Sequence, residues 1–212
     1  RRGERMIVTR VEALTKMKHK VYLDGQFAFV LYKGELSRFG IKEREDITEQ
    51  AVEKIRVEVI LKRAKLRALH LLEDMDRTEA ALREKLMQGM YPPDAVEGAI
   101  RYVKSFGYLN DARYAENFVR SRKDSKSRKE IWAMLMNKGV SAELAEAAFE
   151  ACYDSDEDGG EQEAIRRILR KKRYDPAEDD EAKTQKIYGY LARKGFRYDA
   201  VRQVIQNYNH HA

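Results

Sequence analysis

The sequence has few of the residues that build metal, disulfide or membrane sites. It contains one cysteine, Cys152, and four histidines among 212 residues. A single cysteine excludes an internal disulfide, and apart from the adjacent His210 and His211 no histidine stands at metal-ligand spacing, so we expect no functional metal and no cofactor. No apolar run approaches the ~20 residues needed to cross a bilayer, so we expect no membrane span. Cys152 falls on an apolar helical stripe, which favours a small buried hydrophobe.

Sequence patterns of catalysis are missing as well. The sequence has no glycine-rich phosphate loop and no recognisable Ser/His/Asp arrangement. The acidic stretch 154–160 begins like a calcium-binding loop, with Gly159 at the sixth position, but Ile165 occupies the twelfth position, where such loops need glutamate. We therefore interpret 154–160 as an acidic linker and expect a protein without enzymatic activity.

Charged residues make up 37% of the chain and only three residues are prolines, a balance typical of a helix-rich globular protein. The charges of Arg1–Met6 have no apolar stretch behind them, so we expect no signal peptide, with Met6 as the native start and a cytoplasmic location.

The net charge of +6 is unevenly distributed. Residues 1–64 carry 15 basic and 10 acidic side chains, and residues 159–212 carry 12 and 8. Residues 65–108 are balanced, whereas residues 109–158 carry 8 basic and 11 acidic side chains. Basic ends suit a polyanion or an acidic protein surface, although solvated helix faces explain the charge equally well.

Only the first forty residues resemble β-structure. Residues 20–23 and 27–32 are rich in β-branched and aromatic side chains, and Asp24-Gly25 between them predicts a hairpin turn. An earlier strand is predicted at 6–12. Asp46-Ile47-Thr48-Glu49 then resembles a capping box that starts a helix. Periodicity leaves open whether residues 47–73 form one helix or two.

The rest of the chain repeats one pattern three times. Each copy has an apolar pair at i and i+4, one stripe of a helix, and a turn residue four positions later. These positions are Leu82, Leu86 and Met90, then Ile131, Leu135 and Gly139, then Ile187, Leu191 and Gly195. Glycine ends helices well in the left-handed conformation, so Met90 places the geometry of the first turn in question.

Each copy also has a helix in front, near 64–73, 110–123 and 161–172, and a third helix after the turn. Ser127-Arg128-Lys129-Glu130 is a second capping box, and Pro92-Pro93 suits a first helical turn. We predict a mostly α fold of tandem three-helix repeats behind a small N-terminal segment that contains a β-hairpin. The predicted boundaries are 1–60 for that segment and 61–108, 109–156 and 157–212 for the repeats.

Basic clusters are the sharpest chemical feature. One surrounds the start of the middle helix of copy two, another closes the first helix of copy three, and a third flanks Gly195. Clustered Arg and Lys at helix ends can bind phosphates, but ordinary surface charge is an equally good interpretation. The candidate binding residues are Arg113, Arg120, Arg122, Lys123, Lys126, Arg128, Lys129, Arg166, Arg167, Arg170, Lys171, Lys172, Arg173, Arg193, Lys194 and Arg197.

The stretch Phe106–Arg122 contains a long motif that strongly resembles the signature of the RecX family of recombination regulators. Its residues Gly107, Tyr108, Leu109, Asn110, Asp111, Tyr114 and Phe118 also have structural interpretations. Glycine can end one helix, Asn or Asp can cap the next, and the Tyr-Leu pair can plug the joint between copies. The arginines of this motif are the residues expected to face a partner.

The resemblance implies a fold of tandem three-helix repeats, and it also implies what the protein does. It implies binding to the RecA recombinase filament on single- or double-stranded DNA, without sequence specificity, and inhibition of RecA strand exchange, ATPase and coprotease activities. It thereby implies a role in recombination, DNA repair and the SOS response. No cofactor is implied, and we expect a monomer. The alternative is a stand-alone DNA-binding transcription regulator built from helical units.

Overall fold

A computed structural model describes residues 5–153 and 160–208. The predicted linker at 154–160, except Gly160, and the His210–His211 pair lie outside these described residues. Within the described part of the chain, no helix has the length and apolar character of a membrane span. The chain divides into two compact units, one up to Asn110 and one from Asp111 onward.

The N-terminal segment forms an antiparallel sheet of four strands. Strands β1 (Arg5–Ala13), β2 (Lys18–Leu23), β3 (Gln26–Tyr32) and β4 (Asp46–Thr48) are arranged in the order β3-β2-β1-β4. Both turn residues between β2 and β3 have positive φ, 48° at Asp24 and 81° at Gly25. This conformation matches the twist of hairpin strands, so the predicted hairpin is confirmed. Strand β1 confirms the predicted first strand.

Two features of this segment differ from the sequence prediction. Asp46 does not cap a helix: it belongs to β4, in which the buried Ile47 pairs with Met6 of β1. Thr48 is the N-cap instead, and its hydroxyl accepts a hydrogen bond from the Ala51 amide at 3.2 Å. A short helix, α1 (Lys33–Arg38), was not predicted, because six residues are too few to show a helical period.

The segment after β4 is one continuous helical run. It consists of α2 (Glu49–Ile55), a π-helical segment (Arg56–Leu61) and α3 (Lys62–Asp74), with right-handed helical dihedrals at both junctions. The π-helical segment accommodates an extra residue in the helix, and its Val59 and Ile60 are both buried. This settles the question that periodicity left open.

The three predicted repeats are present, each as three helices. The first contains α3, α4 (Glu79–Gln88) and α5 (Pro93–Ser105). The second contains α6 (Asp111–Arg122), α7 (Arg128–Asn137) and α8 (Ala142–Cys152). The third contains α9 (Gln162–Lys171), α10 (Glu181–Arg193) and α11 (Tyr198–Gln206).

The central turn has the same geometry in all three repeats. Met90 adopts a φ of 63°, close to the 77° of Gly139 and the 90° of Gly195. In each copy the next residue donates its amide to a carbonyl five positions back, for example Tyr91 to Leu86 at 3.3 Å. This hydrogen bond is typical of the Schellman ending of a helix. Methionine therefore does not change the first turn.

The middle helices begin at hydroxyl or carboxylate caps. Thr78, Ser127 and Asp180 each accept a hydrogen bond from a backbone amide three residues later. The cap precedes the first apolar position by four residues in the first two copies and by seven in the third. The middle helix of the third repeat is therefore about one turn longer at its start.

Each unit has its own hydrophobic interior. In the first unit, one cluster of buried side chains extends from Val8 of the sheet to Leu109 and includes the first repeat. In the second unit, one cluster centres on Ile131 and Leu135 and another on Ile187 and Leu191. The predicted apolar pairs of the repeats are thus core residues.

Candidate nucleic-acid interface

The second and third repeats meet at a polar contact inside the second unit. The buried Ser127, which caps α7, donates its hydroxyl to the carbonyl of Lys194 at 2.6 Å. Gly195 follows that carbonyl, and a Cβ atom at Gly195 would lie only 3.0 Å from the Ser127 hydroxyl. Close approach of the two backbones therefore favours glycine here for a second reason besides its positive φ.

A cleft of about 640 Å³ opens beside this contact, and we call it the joint cleft. Its walls are formed by the start of α7 and the ends of α9 and α10. It is lined by Ser125, Lys126, Glu130, Arg167, Ile168, Lys171, Lys172, Tyr190 and Lys194. Because the start of α7 faces the ends of α9 and α10 here, the contact between repeats gathers cations that are far apart in sequence.

The joint cleft is strongly cationic. Five of its lining residues are Lys or Arg, and among the described lining residues the one acid is Glu130. Glu130 is already paired with Lys126, at 2.6 Å between carboxylate and ammonium. Within the described ranges, Arg167 and Lys171 have no hydrogen-bond or ion-pair partner. An anion entering the cleft would relieve the mutual repulsion of these cations.

Tyr190 positions two of the cations. The Lys172 ammonium lies 3.9 Å from the centre of the Tyr190 ring, and the Lys194 ammonium lies 5.9 Å from it. Cation–π attraction holds an ammonium group without neutralising its charge. The two lysines therefore remain available to an anion while their side chains are partly ordered.

Three of the sequence-predicted candidates have structural roles. Lys123 donates to the carbonyl of Cys152 at 3.0 Å, at the end of α8, where a cation also favours the helix dipole. The Arg128 guanidinium lies 4.6 Å from the centre of the Tyr153 ring. The Arg122 guanidinium lies 3.7 Å from the centre of the Phe118 ring. These cations have protein partners before any ligand arrives.

The remaining candidates lie outside the joint cleft. Lys129 lines a smaller cleft together with Glu146 and Glu150. The two carboxylates reduce the attraction of that cleft for an anion. Three others contact neighbours on their own helix: Arg120 with Glu116, Arg166 with Gln162, and Arg170 with Glu163. The further candidates outside the cleft are Arg113, Arg173, Arg193 and Arg197, all exposed.

The signature motif is mainly structural in its first half. Gly107 has a φ of 70° and ends α5, as its sequence context predicts. Leu109 is buried in the first unit, but Tyr108 is 54% exposed and stacks on Phe106, so it does not share the expected role as a plug. Helix α6 begins at Asp111, and its Tyr114 stacks on the buried Phe118.

Cys152 and Tyr153 are buried at the end of α8, as the apolar stripe predicts for the cysteine. Burial raises the pKa of Tyr153, and the nearby Glu161 carboxylate raises it further. Glu161 itself is buried and accepts a hydrogen bond from the Arg128 amide at 2.7 Å.

Among residues 5–153 and 160–208, no group of three or more His, Cys, Asp or Glu side chains could hold a metal ion.

Sequence reasoning missed the lining residues that are not cations. Ser125, Ile168 and Tyr190 line the joint cleft, and none of them is among the candidate binding residues predicted from the sequence. The spacing of Tyr190 and Lys194, one helical turn, is a local signal that could have linked them. The contact of Tyr190 with Lys172 has no local signal, because the two residues belong to different helices.

Comparison with known proteins finds relatives that match most of the chain. Family models for the first, second and third three-helix domains of RecX match residues 64–102, 110–148 and 160–205. The regulatory protein RecX of Caldanaerobacter subterraneus is 30% identical over 202 residues, which cover 94% of this chain and 98% of the relative. The RecX protein of Clostridioides difficile is also 30% identical and covers 94% of both chains.

Solved structures support the same assignment. A crystal structure of a regulatory protein RecX aligns with a TM-score of 0.63 and covers 95% of this chain and 99% of the other; at 22% identity it shows the fold alone. RecX from Lactobacillus salivarius aligns at 27% identity with a TM-score of 0.61, over 71% of this chain and 97% of the other. With its three domain matches and full-length relatives, this chain belongs to the RecX family of regulatory proteins.

Proposed function

We propose that this protein regulates the RecA recombinase by binding the RecA–DNA filament, and that the joint cleft receives the phosphate backbone. The observation that carries the proposal is the convergence of Lys126, Arg167, Lys171, Lys172 and Lys194 on one cleft. Membership of a family of regulatory proteins supports a role in controlling another protein. The RecA partner is the one that the signature motif implies.

Phosphate rather than base recognition follows from the chemistry of the cleft. Lysine ammonium groups attract phosphate as point charges but carry no base-specific pattern, whereas sequence is read by bidentate contacts to base edges. Arg167 is the one guanidinium among the described lining residues. Binding should therefore tolerate any DNA sequence, as a filament partner requires. Cations spread over two repeats can contact successive phosphates of one strand.

The regulatory effect proposed is inhibition. A monomer that holds the DNA backbone and RecA together would impede the rearrangements of strand exchange and the turnover of ATP. RecA strand exchange, ATPase and coprotease activities should decrease together, since all three depend on the intact filament. Recombination, DNA repair and the SOS response would be restrained in consequence.

The test is a titration into RecA that has been assembled on single-stranded DNA, with ATP hydrolysis as the readout. We expect hydrolysis to fall as the protein approaches stoichiometry with RecA, and a Lys171→Glu/Lys172→Glu variant to need at least about tenfold more protein. Absence of any effect up to stoichiometric protein would contradict the proposal. Tight binding to one duplex sequence in competing nonspecific DNA would favour a stand-alone transcription regulator.

A further inference from the structure

A second cleft lies in the first unit, between the sheet and the first repeat, and we call it the head cleft. Its volume is about 530 Å³. Leu14, Val30, Ile60, Leu66 and Met90 contribute its apolar surface. Lys18, Arg63, Arg67 and His70 contribute its polar side, together with the rings of Tyr32 and Tyr91. None of these residues was expected to bind a ligand from the sequence.

The charge of the head cleft is of one sign. Among the described residues that line it, three are Lys or Arg and none is Asp or Glu. Arg63 is held by the protein: it pairs with Glu35 at 2.5 Å, donates to the Val30 carbonyl at 3.2 Å and covers the Tyr32 ring. Arg63 is therefore part of a fixed wall rather than a free charge.

Arg67 and Lys18 are the cations left for a ligand. Arg67 is exposed and makes no ion pair or hydrogen bond within the described ranges. Lys18 lies with its ammonium 5.5 Å from the centre of the Tyr32 ring, a contact that orders the group without neutralising it. The half-buried Tyr91 lies beside them, and its hydroxyl, like that of any tyrosine, is protonated at neutral pH and can donate a hydrogen bond.

The lip of the head cleft is apolar as well as basic. Leu66 is 60% exposed and Leu14 is 43% exposed. A phosphate backbone would leave these leucines in water, whereas a peptide with an apolar side chain would cover them. The joint cleft differs in this respect, since Ile168 is its one aliphatic lining residue among those described. Charge and apolar surface together select a ligand that carries both carboxylates and a hydrophobic group.

We propose that the head cleft binds a short acidic segment of a partner protein, with one apolar side chain between the leucines and neighbouring carboxylates on Arg67 and Lys18. This goes beyond the proposed contact with nucleic acid, because the head cleft uses none of the residues of the joint cleft. The partner is defined by its chemistry: an exposed stretch in which Asp or Glu residues flank a leucine or phenylalanine.

The test uses the full-length protein and a fluorescently labelled peptide in which a leucine is flanked on both sides by glutamates. Fluorescence anisotropy should show saturable binding in the micromolar range. Replacing the glutamates with glutamines, or the leucine with serine, should weaken binding about tenfold. Each substitution removes one of the two features that the cleft offers.

Variants of the protein locate the site. Arg67→Glu and Leu66→Ser should each weaken peptide binding about tenfold, and because both side chains are exposed their melting temperatures should match the wild type. Lys171→Glu, in the joint cleft, is the matched control and should leave peptide affinity unchanged. A single-stranded oligonucleotide should not displace the peptide.

Three results would overturn the proposal: no binding of the glutamate peptide, wild-type affinity in both Arg67→Glu and Leu66→Ser, or displacement of the peptide by the oligonucleotide. These outcomes are independent of the filament assay. Failure of Lys171→Glu/Lys172→Glu to alter RecA inhibition would affect the joint cleft alone, whereas failure of the peptide experiment would affect the head cleft alone.

Discussion

Arg173 has a backbone conformation that its side chain does not favour. Its φ is 51°, and amides of Arg173 and Tyr174 close the end of α9 through bonds to Arg170 and Leu169, both at 3.0 Å. The buried Tyr174 anchors this ending, so the left-handed conformation is imposed by packing. An L-residue in that conformation costs roughly 1–2 kcal/mol, a cost that glycine avoids.

We therefore expect Arg173→Gly to raise the free energy of unfolding by about 0.5–1 kcal/mol, measured by urea denaturation, since glycine also gains freedom in the unfolded chain. Arg167→Gly is the matched control, because Arg167 lies in the interior of α9 and is also exposed. Glycine inside a helix should lower the free energy of unfolding by about 0.5–1 kcal/mol. Changes of the same sign in the two variants would refute the assigned strain.

Ser127 makes two hydrogen bonds that depend on its hydroxyl. It accepts the Glu130 amide at 3.1 Å as an N-cap and donates to Lys194 across the joint between repeats. Ser127→Ala should lower the free energy of unfolding by about 2 kcal/mol, because a cap is lost and the Lys194 carbonyl loses its donor at a partly buried contact. Ser141→Ala, which removes a cap bond of 3.3 Å with no second partner among the described residues, should cost less. Equal losses would contradict the joint hydrogen bond.

Between elements, an ion-pair network joins α4 to α5. Arg83 bonds Glu97 at 2.7 Å and Glu79 at 2.9 Å, and Lys104 bonds Glu79 at 2.7 Å. These hydrogen bonds, that of Lys104 first, lower the pKa of Glu79 below its usual 4.5. A carboxyl group whose pKa is lower in the folded state adds stability above the unfolded pKa and loses it as the pH falls through the folded pKa.

The first repeat should therefore lose stability below about pH 4.5 in part through Glu79. In urea denaturation, Glu79→Gln should reduce the free energy of unfolding at neutral pH by about 0.5–1 kcal/mol and by less under acid, after allowance for solvent screening. Glu84→Gln, on the exposed side of the same helix, is the control and should change little. A pH profile of Glu79→Gln parallel to the wild type would contradict this role.

At the scale of the whole molecule, the sequence predicts the repeats better than the binding surface. Apolar pairs such as Leu82 and Leu86 determine the helices locally, and Gly139 and Gly195 mark their ends. Strand β4 has only three residues, too few for a period, and it is defined by pairing with β1. Whether a cation is free to bind a ligand depends on partners that are distant in sequence. Lys123, for example, donates to the carbonyl of Cys152, 29 residues away. Composition could therefore nominate the basic clusters but could not say which of them converge.

That convergence predicts how the whole molecule responds to salt. Each phosphate contact on single-stranded DNA contributes roughly 0.7 to the slope of log affinity against log salt. Reversing three exposed cations of the joint cleft, Arg167→Glu/Lys171→Glu/Lys172→Glu, should reduce that slope by about 2 and weaken binding at low salt more than at high salt. Fluorescence titrations of a labelled single-stranded oligonucleotide at several salt concentrations measure both quantities.

A control with the same change in net charge separates local contacts from the general field of the protein. Lys16→Glu/Lys54→Glu/Lys85→Glu reverses three exposed lysines of the first unit that have no hydrogen-bond or ion-pair partner within the described ranges. Because long-range attraction is screened beyond ~10 Å at moderate salt, this variant should keep nearly the wild-type slope. Equal loss of slope in both triple variants would assign DNA attraction to net charge and leave the joint cleft as an ordinary solvated surface.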